Sequence, residues 1–166
     1  MFIDIVEKNR AKLAVQLKEL GFEVIFELKG DTLIDPEDKN SFELRTYYGK
    51  DYDFVIRKGK ADVILNLENN GFLLNKGLCS KLKENHMFVV FKFTSLLESQ
   101  EVFKTYKNML INGRLCADYG VDTLYVSSAR DLDDIKAPAQ LVAFAEQFGY
   151  HYLNYKRAIE NLLKRK

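Results

Sequence analysis

The feature that most constrains this chain is a run of five apolar residues, Met87-Phe88-Val89-Val90-Phe91, with no polar side chain among them. A strand with one face in water alternates apolar and polar residues, whereas unbroken apolarity belongs to strands covered on both faces, as in parallel sheets flanked by helices. The run has company. Asp62-Val63-Ile64-Leu65-Asn66 precedes it and Thr123-Leu124-Tyr125-Val126 follows it. Segments of helical period lie between them: Leu74, Leu78 and Leu82 on one face, then a stretch from about Ser99 to Tyr119 whose core face reads as Phe103, Tyr106, Leu110 and Gly113. Strands and helices that alternate in this way predict an α/β fold with parallel strands.

The flanks extend the pattern. Phe2 to Val6 reads as a first strand, Leu13, Ala14, Leu17 and Leu20 as a helix that Gly21 ends, and Phe22 to Phe26 as a second strand. Residues 29–41 carry a turn signal at Asp35-Pro36 and read as a surface loop, and Phe42 to Tyr48 as a third strand. Pro138 sits where a helix begins, because a first-turn residue needs no N–H partner. Leu141, Phe144, Ala145 and Phe148 form that helix's apolar face, and Gly149 closes it. Residues 154–166 read as a basic C-terminal helix burying Ala158, Ile159, Leu162 and Leu163. No linker or repeat divides the chain, so residues 1–166 read as one domain of six to seven parallel strands with helical crossovers. A flavodoxin-like sheet and a reduced (β/α) barrel both fit, since a full eight-unit barrel usually takes about 250 residues.

Composition narrows the chemistry. With 25 basic and 24 acidic residues, the formal charge of +1 argues against a freestanding polybasic nucleic-acid binder. No stretch is apolar enough for a membrane span, and the N-terminus lacks the order of a signal peptide, so a cytoplasmic location is expected. His86 and His151 are the only histidines, and Cys79 and Cys116 lack CxxC spacing, so the cysteines read as buried helix residues. No nucleophile elbow, P-loop or dinucleotide fingerprint occurs. A carboxylate-only Mg²⁺ site stays open, drawn from Asp4, Glu68 and the cluster Asp131, Asp133 and Asp134, as for a metal-dependent phosphoesterase; the plain alternative is solvated loop acids. The charge is also uneven. Residues 29–53 carry a net −3, residues 57–114 a net +5 and residues 156–166 a net +4. Basic segments beside an acidic loop permit a phosphate-binding face, and the acidic loop could instead meet a basic protein.

From Asn108 to Gly149 the residues carry a resemblance. Asn112-Gly113-Arg114-Leu115-Cys116 is followed by Tyr119-Gly120-Val121, by Val126-Ser127-Ser128-Ala129, and by Ile135-Lys136-Ala137-Pro138 with Leu141. This order resembles ribonuclease P protein component 3, the archaeal relative of a eukaryotic nuclear ribonuclease P subunit, which shows an N-x-R-L-A helix, a strand running into S-S-G-A and an R-x-P-x-x-L helix start. Upstream, Asp62 to Asn66, Phe88 to Phe93, and Leu96-Leu97 match the family's middle section. The likeness covers residues 60–150 well and 1–60 in outline. The chain departs from the family in lacking a Gly after Ser128, in carrying Lys136 where Arg is usual, and in being shorter between its second and fourth strands.

The resemblance implies a TIM-barrel-like fold similar to that of the polymerase-and-histidinol-phosphatase hydrolases, without their metal ligands. It implies a subunit with no catalytic site of its own and no bound cofactor, in a hetero-oligomer with ribonuclease P RNA and ribonuclease P protein component 2. Mg²⁺ held in the RNA would cut the 5′ leader from precursor tRNA, which the protein reaches indirectly. The residues expected at the RNA or the partner are Arg114, from the matching helix motif; Ser127 and Ser128, at a strand end; Arg130 and Lys136, beside the same loop; and Lys92, at the end of the strongest strand. Three have a structural alternative: an ion pair with Asp118 one turn on for Arg114, and capping or turn chemistry for Ser127 and Ser128.

Overall fold

The computed structural model describes residues 2–7, 10–37 and 42–165. Seven strands, β1 (Ile3–Val6), β2 (Val24–Lys29), β3 (Thr32–Ile34), β4 (Glu43–Tyr47), β5 (Val63–Leu65), β6 (Phe88–Lys92) and β7 (Thr123–Val126), pair in chain order around one sheet. Its ends meet: Val6 bridges Ala129, and the Glu7 N–H donates to the Ala129 carbonyl at 3.1 Å. The result is a nearly closed, mostly parallel barrel. Helices α1 (Arg10–Glu19), α2 (Tyr52–Lys58), α3 (Lys76–Glu84), α4 (Thr94–Glu98), α5 (Val102–Tyr119), α6 (Pro138–Gln147) and α7 (Tyr152–Leu163) make the crossovers and the outer layer.

Burial follows the helical cover. β1, β5, β6 and β7 are buried at every position, because the barrel interior lies on one side and helices on the other. Ile3, Ile5 and Phe26 join the main core, while Val6 and Ile25 point outward into a smaller cluster with Leu13, Leu17, Phe22 and Leu141. Strands β2 to β4 have no helix between them, and β4 alternates exposed and buried residues accordingly.

The expected loop at residues 29–41 is corrected here. Thr32–Ile34 is a strand, antiparallel to both β2 and β4. Gly30, at φ +58°, supplies the left-handed first position that a two-residue hairpin turn of type II′ gives to glycine. Residues 38–41 of that expected loop lie outside the described residues. The barrel therefore has six parallel strands and one reversed strand, a hairpin standing where a βα crossover would otherwise run.

The core face expected for the long helix is also displaced. Phe103 is 82% exposed, and the buried positions of α5 include Thr105, Asn108, Asn112, Gly113 and Cys116. The buried face is polar for a reason. Asn112 accepts from the Leu74 N–H and donates to the Phe72 carbonyl, both at 2.8 Å, while Asn108 donates to the Glu68 carbonyl at 3.0 Å. These amides complete the backbone bonding of the turn between β5 and α3, which has no strand or helix partner of its own.

Strand β7 is the barrel's weak edge, and side chains seal it. Asp122, just before it, and Val126 accept backbone bonds from Val89 and Phe93, leaving residues 123 and 125 facing the seam with β1. The Tyr150 hydroxyl accepts from the Thr123 N–H at 2.9 Å and donates to the Val121 carbonyl at 3.0 Å. The Tyr155 hydroxyl donates to the Tyr125 carbonyl at 3.0 Å, and the Ser127 N–H donates to Asp4 Oδ1 at 2.7 Å. Two tyrosines and one aspartate thus do what a continuous β1 ladder would do in a fully closed barrel.

Candidate functional site at the barrel mouth

The C-terminal ends of the strands surround a cavity of about 340 Å³, lined by Glu7, Leu28, Gly30, Tyr48, Leu65, Asn66, Lys92 and Arg130. In barrels of this kind the strand ends carry the variable loops and the chemistry. At the centre stands Glu7, just past β1. Its Oε1 accepts from Lys92 Nζ and from the Ser128 hydroxyl, each at 2.7 Å, and its Oε2 accepts from Arg130 Nε at 2.9 Å. Arg130 also pairs with Glu98 at the end of α4. Burial alone would raise the Glu7 carboxyl, but the hydrogen bond and charge of Lys92, aided by Ser128 and Arg130, hold it at about 2.

Ser128 reaches Glu7 because it takes the left-handed conformation, φ +58°. A non-glycine residue held there costs about 1–2 kcal/mol. Ala129, the next residue, bridges Val6.

Two further carboxyls lie buried nearby with one oxygen unpartnered. Asp4 accepts from the Ile5 N–H at 2.9 Å and from Ser127, yet its Oδ2 meets no partner among the described residues, and burial pushes its carboxyl up to about 7. Glu68 Oε1 accepts from the Ser95 hydroxyl at 2.7 Å, its Oε2 has no partner among the described residues, and burial raises it as well.

Of the expected site residues, the structure brings Lys92, Ser128 and Arg130 together on Glu7. Ser127 serves the turn, its hydroxyl accepting from the Lys136 N–H at 2.9 Å. The Lys136 ammonium donates to the Asp133 carbonyl at 3.1 Å and lies 5.0 Å above the Phe93 ring. Arg114 stands apart, exposed on the outer face of α5, and forms no ion pair with Asp118 among the described residues. Glu7 and Glu98, which organise the mouth, were not singled out from sequence.

The carboxylates considered for a phosphoesterase site do not converge. Asp131 lies in an exposed turn, accepting from the Asp133 N–H at 3.1 Å, while Asp4 is sealed in the β1–β7 seam and the Glu68 carboxyl is buried against Ser95 of α4. Among the described residues no three His, Cys, Asp or Glu side chains form a metal-binding group. The one carboxylate facing the cavity, Glu7, has its lone pairs taken by cations and a hydroxyl.

No protein-family model and no curated protein matches the chain. Its fold has a solved counterpart. Over 98% of its length the chain superposes on a chain of the cryo-EM structure of archaeal ribonuclease P with mature tRNA, at a TM-score of 0.59 and 16% sequence identity. It spans 65% of the length of that chain. The likeness is one of fold. Among the described residues no helix is long and apolar enough to cross a membrane.

Proposed function

We propose that this chain is a protein subunit of ribonuclease P, assisting a catalytic RNA in removing 5′ leaders from precursor tRNA. The observation that carries the reading is the superposition of 98% of the chain on a chain of archaeal ribonuclease P. The residue motifs between Asn108 and Gly149 support it separately, since they lie in the sequence and owe nothing to the superposition. In the finer reading the subunit is component 3, its protein partner is ribonuclease P protein component 2, and the assembly is a cytoplasmic hetero-oligomer. Precursor tRNA is met through the RNA, and hydrolysis uses Mg²⁺ held by the RNA.

The mouth supports a structural role for the protein. Lys92 and Arg130 are balanced by Glu7 and Glu98, so the barrel end that serves as an active site in enzymes of this fold is here filled by an ion cluster. The test is reconstitution of the full chain with cognate RNA and component 2. The expected result is faster precursor-tRNA cleavage at a lower Mg²⁺ concentration than the RNA reaches alone. Absence of any stimulation overturns the reading.

A further inference from the structure

We propose that the surface meeting RNA is the outer face of α2, α3 and α5, and that the barrel mouth and the basic C-terminus are not phosphate contacts. The inference rests on the ribonuclease P reading for its biological setting and on ion pairing for its location.

Three groups of cations stand out, and the structure treats them differently. Those at the mouth are engaged: Lys92 and Arg130 hold Glu7, and Lys136 donates to backbone carbonyls. Most of those at the C-terminus have acids within reach, Lys156 at 3.9 Å from Glu160, Arg157 at 3.8 Å from Asp122 and Arg165 at 3.6 Å from Asp62, with exposed Lys164 the exception among the described residues. Those of the helical layer are different. Lys58 on α2, Lys76 and Lys83 on α3, and Lys107 and Arg114 on α5 are all exposed, and no described carboxylate pairs with them.

These five lie on neighbouring helices, since α3 packs against both α2 and α5, with Lys83 reaching toward Gly120 at the end of α5 and Arg114 toward Gly149. Asn85 ties the first pair, donating to the Ile56 carbonyl at 2.8 Å. Lys107 and Arg114 are two helical turns apart on the same stripe of α5. The acids of this layer are mostly neutralised within their own helices, Asp53 by Arg57, Glu84 by Lys81 and Glu101 by Lys104, which leaves Asp118 as the exception on α5. Neighbouring helices lie about 8–10 Å apart, so the cations spread over roughly 20 Å, a span suited to several successive phosphates. Much of the net +5 segment thus lies on this surface, while Asp31, Asp35, Glu37 and Glu43 of the net −3 segment lie on β4 and in the turns beside β3. A polyanion with a regular phosphate backbone complements that separation better than a mixed-charge protein surface does.

The test compares two charge-matched triple variants. Lys76→Glu/Lys107→Glu/Arg114→Glu alters the proposed face, and Lys12→Glu/Lys18→Glu/Lys29→Glu makes the same charge change on α1 and β2. Binding to a short double-stranded RNA of mixed sequence is measured across a salt series, with circular dichroism confirming the fold. The face variant is expected to lose about tenfold or more in affinity and to lower the log–log salt slope by about 2–3, while the control keeps a slope near that of the parent chain. Equal losses in both variants, or no loss in the face variant, overturn the proposal. So does tighter binding of polyglutamate than of RNA, which would make the partner an acidic polypeptide. Holoenzyme assays separate the two readings. If the parent chain stimulates cleavage and the face variant does so with unchanged salt dependence, the face is wrong and the subunit reading stands. If the parent fails to stimulate while the face variant alone loses RNA, the face stands and the subunit reading falls.

Discussion

Glu7 accepts from Lys92, Ser128 and Arg130 together, so a change that removes its charge strands two cations, one of them buried. Removing one partner of a buried pair typically costs 3–5 kcal/mol, because the remaining charge lies in low dielectric without compensation. Arg130 is partly solvated and keeps Glu98, which places Glu7→Gln near the lower end, about 3 kcal/mol. Urea denaturation at neutral pH measures it. A loss under about 0.5 kcal/mol, the scale of an exposed pair, would mean that the cluster is solvated and does not hold the mouth together. The basic and hydroxyl members of this cluster were legible in the sequence, because residues just past strand ends are where a barrel carries its function. Glu7 was not, since an acid after a short strand looks like any solvated loop charge. Its importance comes from contacts spanning 85 and 123 residues, which no local pattern encodes. Arg114 is the converse case: it belongs to a readable motif but touches nothing charged, while Asn112 of the same motif is the buried residue that fixes a turn.

Helix α5 passes over β7 so closely that one position must lack a side chain. A Cβ built on Gly113 would stand 2.7 Å from the Tyr125 hydroxyl and 2.8 Å from the Phe148 Cβ. Helix propensity alone favours Gly113→Ala by about 1 kcal/mol. Overpacking costs about 1–3 kcal/mol, and with Phe148 Cβ fixed by α6 the clash is expected to win, giving a lower melting temperature. A raised melting temperature would show that α5 is free to lift off the sheet. On the opposite edge of β7, Tyr155→Phe removes the donor to the Tyr125 carbonyl and leaves a buried acceptor unsatisfied, an expected loss of about 1–2 kcal/mol by chemical denaturation. Tyr152→Phe on the same helix, at a half-exposed ring, is the neutral reference. Elements of this kind differed in how well sequence revealed them. β6 and β7 were plain because both faces are apolar. β3 is only three residues between turn signals, and α2 only seven, each too short to show a period. The face of α5 was legible at Tyr106, Leu110 and Gly113 but misplaced at Phe103, because two of its buried positions are the amides Asn108 and Asn112, whose role is to bond a turn that the sequence does not mark.

At the scale of the whole molecule, the buried carboxyls set an unusual dependence of stability on pH. Glu7 is held at about 2 against 4.5 in an ordinary setting, so the stability it contributes is present above about pH 4.5 and is lost as pH falls toward 2. Asp62, whose pKa is lowered by its hydrogen bonds and charge interaction with Arg45 despite burial, acts in the same direction with a smaller, partly solvated share. Asp4 works the other way. Burial raises it from 3.8 to about 7, so between those values the unfolded chain releases a proton that the folded chain keeps, and stability falls as pH rises through that window. Three units correspond to at most roughly 4 kcal/mol. Glu68, also raised by burial, adds to the same decline. The two opposing trends meet near pH 4–5, where the melting temperature is expected to peak, lower than the neutral optimum of a protein whose acids are all paired. Asp4→Asn keeps the Oδ1 acceptor that Ser127 and Ile5 use but cannot ionise. Its stability relative to the parent chain should therefore grow steadily between pH 4 and pH 7 and level off above. Parallel melting curves for the two proteins across that range would show that Asp4 ionises freely, and that the β1–β7 seam admits water along its length instead of being sealed by Asp4, Tyr150 and Tyr155.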